Sequence, residues 1–221
     1  MRNFSPRSDI LPPGQKRLWQ ELRPAQGIGF VLYGGTAIAL HFGHRQSVDF
    51  DFFTDRPLDK DEIRRVMPFA GSAGVVVLQD QPNTYVFLTA GDGVKVSFFG
   101  GLGFGRVGEP ELTIDGVLQV ASREDLLATK LKVILDRVEA KDYRDIAVLI
   151  SAGTSLERGL SGATALFGPF YPPAEALKAL VHFKGGDLET LSPAERRVLI
   201  ESVSSVRNLP TVFTVSKQLS A

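Results

Sequence analysis

Hydrophobic and polar positions alternate along this chain with a period that changes partway through. Ile28 to Tyr33 is a short apolar run between Gly27 and Gly34 and predicts a buried strand. Thr36 to Phe42 suits a helix closed by Gly43, and Val48 to Phe53 alternates with a period of two, predicting a second strand with Val48, Phe50 and Phe52 facing the core. Ahead of this unit, QKRLWQELR brings Leu18, Trp19 and Leu22 to one side of a short lead-in helix. After it, Leu58 to Phe69 is amphipathic, with Asp59 as N-cap and Glu62 as its capping-box partner. Val75 to Gln79, Tyr85 to Thr89 and Val94 to Phe99 predict three more strands, joined as antiparallel hairpins through the turn sequences DQPN and AGDG.

Beyond Leu118 the spacing becomes helical. SREDLLATKLKVILDRVE opens on a cap at Ser122 with Asp125 three residues on, KDYRDIAVLIS follows after a break, and PPAEALKALVHF and SPAERRVLIESV add two more helices. In the last of these, Ser192, Pro193 and Glu195 take the N-cap, N1 and N3 positions. The expected class is α+β: a mixed β-sheet core with flanking helices over residues 1–118, and a helical region over 119–221. The glycine-rich stretch from Gly100 to Pro110 leads into no helix, so it reads as a loop and not as a dinucleotide-binding turn.

Composition narrows the function classes. The chain of 221 residues is long enough for a sizeable core, and 43% hydrophobic with 23% charged residues is a globular balance. Lys plus Arg and Asp plus Glu number 25 each, so no overall basic charge would hold the chain on a phosphate backbone. With no cysteine, thiol nucleophiles, disulfides and thiolate metal sites are excluded; any metal must take oxygen or imidazole ligands. The absence of a signal-like or membrane-length apolar segment leads to the expectation of a cytoplasmic protein with no membrane partner.

The candidate chemistry lies between Tyr33 and Phe53. Asp49 and Asp51, two apart on a strand, point to one face. Two like charges there are either a solvated strand face or the ligands of a divalent cation, and oxygen-only donors suit Mg²⁺ or Mn²⁺. Mg²⁺ held by one or two carboxylates completes its shell with water and substrate phosphates, which points to phosphate chemistry. Gly34 and Gly35 lack Cβ atoms, so backbone N–H groups at the start of the next helix can approach a phosphate, with the Thr36 hydroxyl as a further donor. In the helical half, Lys130 and Arg137 share a spacing of seven, and Asp142 and Asp145 one of three; these residues are either an exposed face with local ion pairs or two complementary faces of one site.

YGGTAIAL followed by HRQSVDFDFF resembles the signature of the AbiEii/AbiGii toxin family, itself similar to the wider DNA-polymerase-beta-like nucleotidyltransferases. The likeness continues through Lys130 in ATKLKVIL and through RVEAKDYRDIAVL, covering Phe30 to Leu149. It implies a nucleotidyltransferase-like sheet core and a Mg²⁺-dependent transfer of NMP from an NTP to an RNA 3′ end, such as that of tRNA, or to a protein hydroxyl. It also implies that the chain is the toxin of a toxin–antitoxin or abortive-infection pair, with a cognate antitoxin. By this resemblance Asp49 and Asp51 are the metal ligands, Gly34, Gly35, Thr36, Arg45 and Ser47 border the nucleotide, and Lys130 meets its β and γ phosphates. Asp142 and Asp145 line the nucleotide pocket or support the lysine.

One position departs from that pattern. The wider superfamily carries a third carboxylate on a later strand as general base, and in VKVSFFG that slot falls to Ser97, with Lys95 and Phe99 on the same face. A serine hydroxyl is a poor base at neutral pH, so the expectations divide between slow transfer and a nucleotide or partner binder without turnover. Asp92 and Asp115 are the candidate substitutes for the missing acid. A glycosyltransferase using the same D-x-D pair would leave the glycine turn and Lys130 without a task.

Overall fold

The structure is a computed structural model describing residues 2–168 and 171–221. The chain folds as two compact units. The first comprises Met1–Gly105, Glu109–Ala121 and Ser216–Ala221, the second Arg106–Gly108 and Ser122–Val215. The division thus follows Ala121 instead of residue 118, and the last six residues return to the first unit.

The first unit is built on one mixed sheet. Its strands are β1 (Arg2–Phe4), β2 (Val31–Tyr33), β3 (Asp49–Phe53), β4 (Val76–Gln81), β5 (Thr84–Leu88), β6 (Lys95–Phe99), β7 (Glu111–Thr113) and β8 (Gln119–Val120), in the spatial order β1-β7-β8-β2-β3-β6-β5-β4. β4, β5 and β6 form the expected antiparallel hairpins, and β6 then runs parallel to β3, which is antiparallel to β2. The core of this sheet is aromatic. Phe50 and Phe52 are fully buried, and Phe52 stacks on Phe98 with ring centroids 5.1 Å apart while Phe30 meets Phe98 edge-on at 4.9 Å. Val48, expected to join them, is 61% exposed because β3 begins one residue later, at Asp49.

Helix α1 (Pro13–Leu18) and a following 3-10 turn bury Leu18, Trp19 and Leu22, and α2 (Pro24–Gly27) leads into β2. Helix α3 (Gly34–Phe42) buries Ala37 to Leu40 completely, and it ends where Gly43 adopts a left-handed conformation that releases the chain. Helix α4 (Lys60–Val66) is capped by the Asp59 carboxylate, which accepts the Glu62 N–H at 2.8 Å.

The second unit is helical: α5 (Arg123–Asp136), α6 (Ala140–Ser151), α7 (Leu156–Phe167), α8 (Pro173–Val181) and α9 (Pro193–Ser205). α5 packs on α6, α7 and α8, and α9 on α6 and α8. α9 carries the full capping box foreseen at Ser192 and Glu195. No helix among the described residues is long and apolar enough to cross a membrane.

Candidate functional site

The acid strand and the glycine turn meet because of register. Tyr33, the last residue of β2, lies opposite Asp51 on β3, so the chain turns into α3 directly beside the Asp51 side chain. Gly34 makes that turn at φ +74°, and a Cβ built on it would lie 2.6 Å from Asp51 Oδ2. Its neighbour Gly35 has an ordinary φ, but a Cβ there would overlap the Arg45 guanidinium and lie 3.2 Å from Ser47 Oγ. Gly34, Gly35, Arg45, Ser47 and Asp51 are therefore one closely packed cluster, with a left-handed backbone that favours glycine at Gly34 and a side chain at position 35 that would displace the Arg45 guanidinium.

Thr36 has a different task from the one expected. It is 1% exposed, and its hydroxyl donates to the main-chain carbonyl of Asp49, which fixes the start of α3 to the start of β3. The hydroxyl therefore positions the acid strand and does not offer its proton to a ligand. Arg45 donates to the carbonyl of Gln46 at 2.9 Å, bracing the loop ahead of the acids.

Asp49 and Asp51 share a face of β3, both partly exposed. In the parallel β3–β6 ladder Asp49 pairs with Lys95 and Asp51 with Ser97. The slot for a third acid is thus occupied by Ser97, 1% exposed, directly beside Asp51. Lys95 Nζ stands 3.6 Å from Asp49 Oδ2, an ion pair that the sequence reading missed, because the spacing of Lys95 and Ser97 puts both on one face of β6 but leaves open which residues of β3 lie opposite. Among the described residues no three His, Asp or Glu side chains gather at one point. Asp92 and Asp115, the candidate substitutes, are engaged with other partners: Asp92 with the Arg17 guanidinium, and Asp115 with Trp19 Nε1 at 2.7 Å. The donor set left for a metal is two carboxylates on one face, which fits an ion that takes its other ligands from water and phosphate.

In the helical unit, α5 and α6 build a buried ionic cluster. Lys130 Nζ lies 2.6 Å from Asp142 Oδ1 and 2.7 Å from Asp145 Oδ2, and both carboxylates are fully buried. Arg137 adds a two-pronged contact to Asp142, Nε at 2.8 Å and Nη2 at 3.1 Å. Arg137 does not share a helix face with Lys130, as the spacing of seven suggested, because α5 ends at Asp136 and Arg137 is extended. It reaches Asp142 through the chain reversal that follows. Burial pushes the Asp142 carboxyl up, but the Arg137 hydrogen bond and the Lys130 ammonium outweigh it and hold the group below the ordinary carboxylate range.

Sequence reasoning assigned no role to the Asp125 carboxylate beyond the helix cap. It is buried at the start of α5, where it accepts N–H groups from Val107 at 2.7 Å and Gly108 at 3.1 Å and the Ser122 hydroxyl at 2.6 Å. Burial lifts its pKa to about 6 against those hydrogen bonds. It pins the loop segment 106–108 to the helical unit.

A family model described as nucleotidyl transferase AbiEii toxin, type IV TA system, matches residues 17–195. An uncharacterized protein of Aquifex aeolicus (strain VF5) is 35% identical over 123 residues, covering 55% of this chain and 57% of the relative. The match thus spans little more than half of that relative's length. The crystal structure of a candidate nucleotidyltransferase from H. pylori superposes with a TM-score of 0.52 at 18% identity, covering 86% of this chain and 91% of that one, a likeness of fold. The Megavirus polyadenylate synthase aligns at a TM-score of 0.46 and 17% identity, over 62% of this chain and 31% of the synthase.

Proposed function

The chain belongs to the AbiEii nucleotidyl transferase toxin family, and from that premise we propose that it is a Mg²⁺- or Mn²⁺-dependent nucleotidyltransferase acting as the toxin of a toxin–antitoxin pair. It would transfer NMP from an NTP to the 3′ end of an RNA, tRNA included, or to a protein hydroxyl, and a cognate antitoxin would restrain it. The observation that carries this reading is the packing of Gly34 against Asp51: it brings the amide-rich start of α3 and the acid pair to one place, as a metal-bound triphosphate requires.

Asp49 and Asp51 would hold the ion, which when bound polarises phosphoryl oxygens and offsets charge that develops on them. Backbone N–H groups at Gly34, Gly35 and Thr36 take phosphate oxygens, since the first four N–H groups of a helix have no intrahelical acceptor. Arg45, set against Gly35, supplies a positive charge beside them. The acceptor oxygen forms its bond to the α-phosphorus as the bond from that phosphorus to the α–β bridging oxygen breaks. Pyrophosphate leaves, and with serine in the third slot the hydroxyl proton passes to water. Asp142 and Asp145 use two of the three Lys130 N–H donors, which leaves the third for a ligand.

A second reading is favoured by Ser97: a nucleotide-binding or partner-binding protein that does not turn over. Incubation of the protein with α-labelled NTPs, Mg²⁺ and total RNA or cell lysate separates the two. Transfer of label by the wild type but not by Asp49→Ala supports the enzyme. Mg²⁺-dependent thermal stabilisation by NTP with no transfer to any acceptor supports the binder.

A further inference from the structure

The two residues of β6 that face the acid pair are an ammonium group and a hydroxyl, and this pairing sets how much cationic charge the face can accept. Two divalent ions held 3.5–4 Å apart, as in two-metal phosphoryl-transfer sites, need anionic ligands on both sides. Here Asp49 has Lys95 Nζ at 3.6 Å on the β6 side, and Asp51 has Ser97 in that direction. No third carboxylate, among the described residues, converges with them. The Arg45 guanidinium lies a residue away along the turn, against Gly35, and adds a second positive charge to the neighbourhood.

We infer that Lys95 is a fixed cation that takes the place of a second divalent ion, so that the site binds one metal per nucleotide. This rests on the nucleotidyltransferase reading above and specifies how that site is charged. An ion entering on the Asp51 side shares both carboxylates with the triphosphate. A further ion on the Asp49 side would meet the ammonium group of Lys95 within ordinary ion-pair distance, with no extra carboxylate to offset the repulsion. The ammonium cannot leave with the product, and it needs no free metal to be in place. A further consequence is that the empty site holds metal weakly, because Lys95 competes for Asp49, and the metal arrives with the triphosphate.

The test counts ions and not turnover. Full-length protein is dialysed to equilibrium against Mn²⁺ and an equimolar mixture of the four α,β-methylene ribonucleoside triphosphates, and protein-bound Mn²⁺ and bound nucleotide are both measured. One Mn²⁺ per bound nucleotide is expected, and two per nucleotide would overturn the inference while leaving the nucleotidyltransferase reading in place. Bound nucleotide that carries no Mn²⁺, or no bound nucleotide at all, would overturn both. In a separate titration without nucleotide, Lys95→Met should bind Mn²⁺ about fivefold more tightly than wild type, the effect of removing one like charge near the protein surface; unchanged affinity would count against it. The double variant Lys95→Met with Ser97→Asp should take up the second Mn²⁺, and continued binding of one ion would show that Lys95 and Ser97 do not set the count.

Discussion

Asp51 lies directly beneath Gly34: its Oδ2 is 2.6 Å from the point where a side chain on that glycine would begin. The backbone at Gly34 is also left-handed, so an alanine there would meet both a clash and a strained conformation. Gly34→Ala should lower stability by about 1–3 kcal/mol in urea denaturation and weaken nucleotide binding. Gly35→Ala is a useful contrast, since its obstacle is the mobile end of Arg45 and its φ is ordinary. It should cost under about 1 kcal/mol yet still impair nucleotide binding by displacing the guanidinium.

The Thr36 hydroxyl joins the start of α3 to the Asp49 carbonyl. Thr36→Val keeps the shape but leaves a buried carbonyl without that donor, for an expected loss of about 1–2 kcal/mol. Thr36→Ser retains the donor and should recover most of it, as read by thermal or urea unfolding. An equal loss in both variants would mean that the methyl contacts matter and the hydrogen bond does not.

Removing Lys130 would take away the ammonium group that both buried carboxylates share, while Arg137 stays on Asp142. Lys130→Met should destabilise the protein by about 3–5 kcal/mol, measured as a shift of the urea midpoint at unchanged slope. Because the folded-state pKa of Asp142 is depressed, its contribution is present above the ordinary carboxylate pKa near 4 and lost as pH falls through the folded value. Arg137→Gln takes away the leading cause of that depression, so its acid-unfolding transition should move to higher pH than that of the wild type.

Asp125 carries the opposite sign. Its folded pKa of about 6 lies above the unfolded value, so its favourable contribution is complete below about pH 4 and is lost as pH rises through 6. Denaturation at pH 4, 5, 6 and 7 should show a decline of up to about 3 kcal/mol from this group, and Asp125→Asn should remove that component. The asparagine has a single oxygen for the N–H groups of Val107 and Gly108 and the Ser122 hydroxyl, so the variant should also loosen the loop segment 106–108 to hydrogen exchange.

The sequence carried the parts of the fold whose signals are local. The strands around the DQPN and AGDG turns, the cap at Asp59 and the capping box at Ser192 depend on residues a few positions apart, and each formed where expected. β1, β7 and β8 did not show, because two or three residues cannot display a period and their pairing comes from distant segments. α7 was hidden by its own glycines. Gly159 and Gly162 resemble breaks, but a Cβ at Gly159 would lie 2.5 Å from Leu127 Cδ2, so this glycine is there to let α7 approach α5. In the candidate site, the acid pair and glycine turn were legible from residue type and spacing. The ion pair of Lys95 with Asp49 was not, because it depends on which residues of β3 and β6 lie opposite one another, a register no single strand specifies.

The central claim is that the acid pair and the glycine turn together bind a metal-bound triphosphate, and calorimetric titration with each of the four α,β-methylene ribonucleoside triphosphates tests it most directly. With Mg²⁺ present, at least one should bind the wild-type protein, and that binding should disappear in EDTA and in Asp51→Asn. Failure of all four to bind in Mg²⁺, or binding that is the same in EDTA or in Asp51→Asn as in wild type with Mg²⁺, would contradict it.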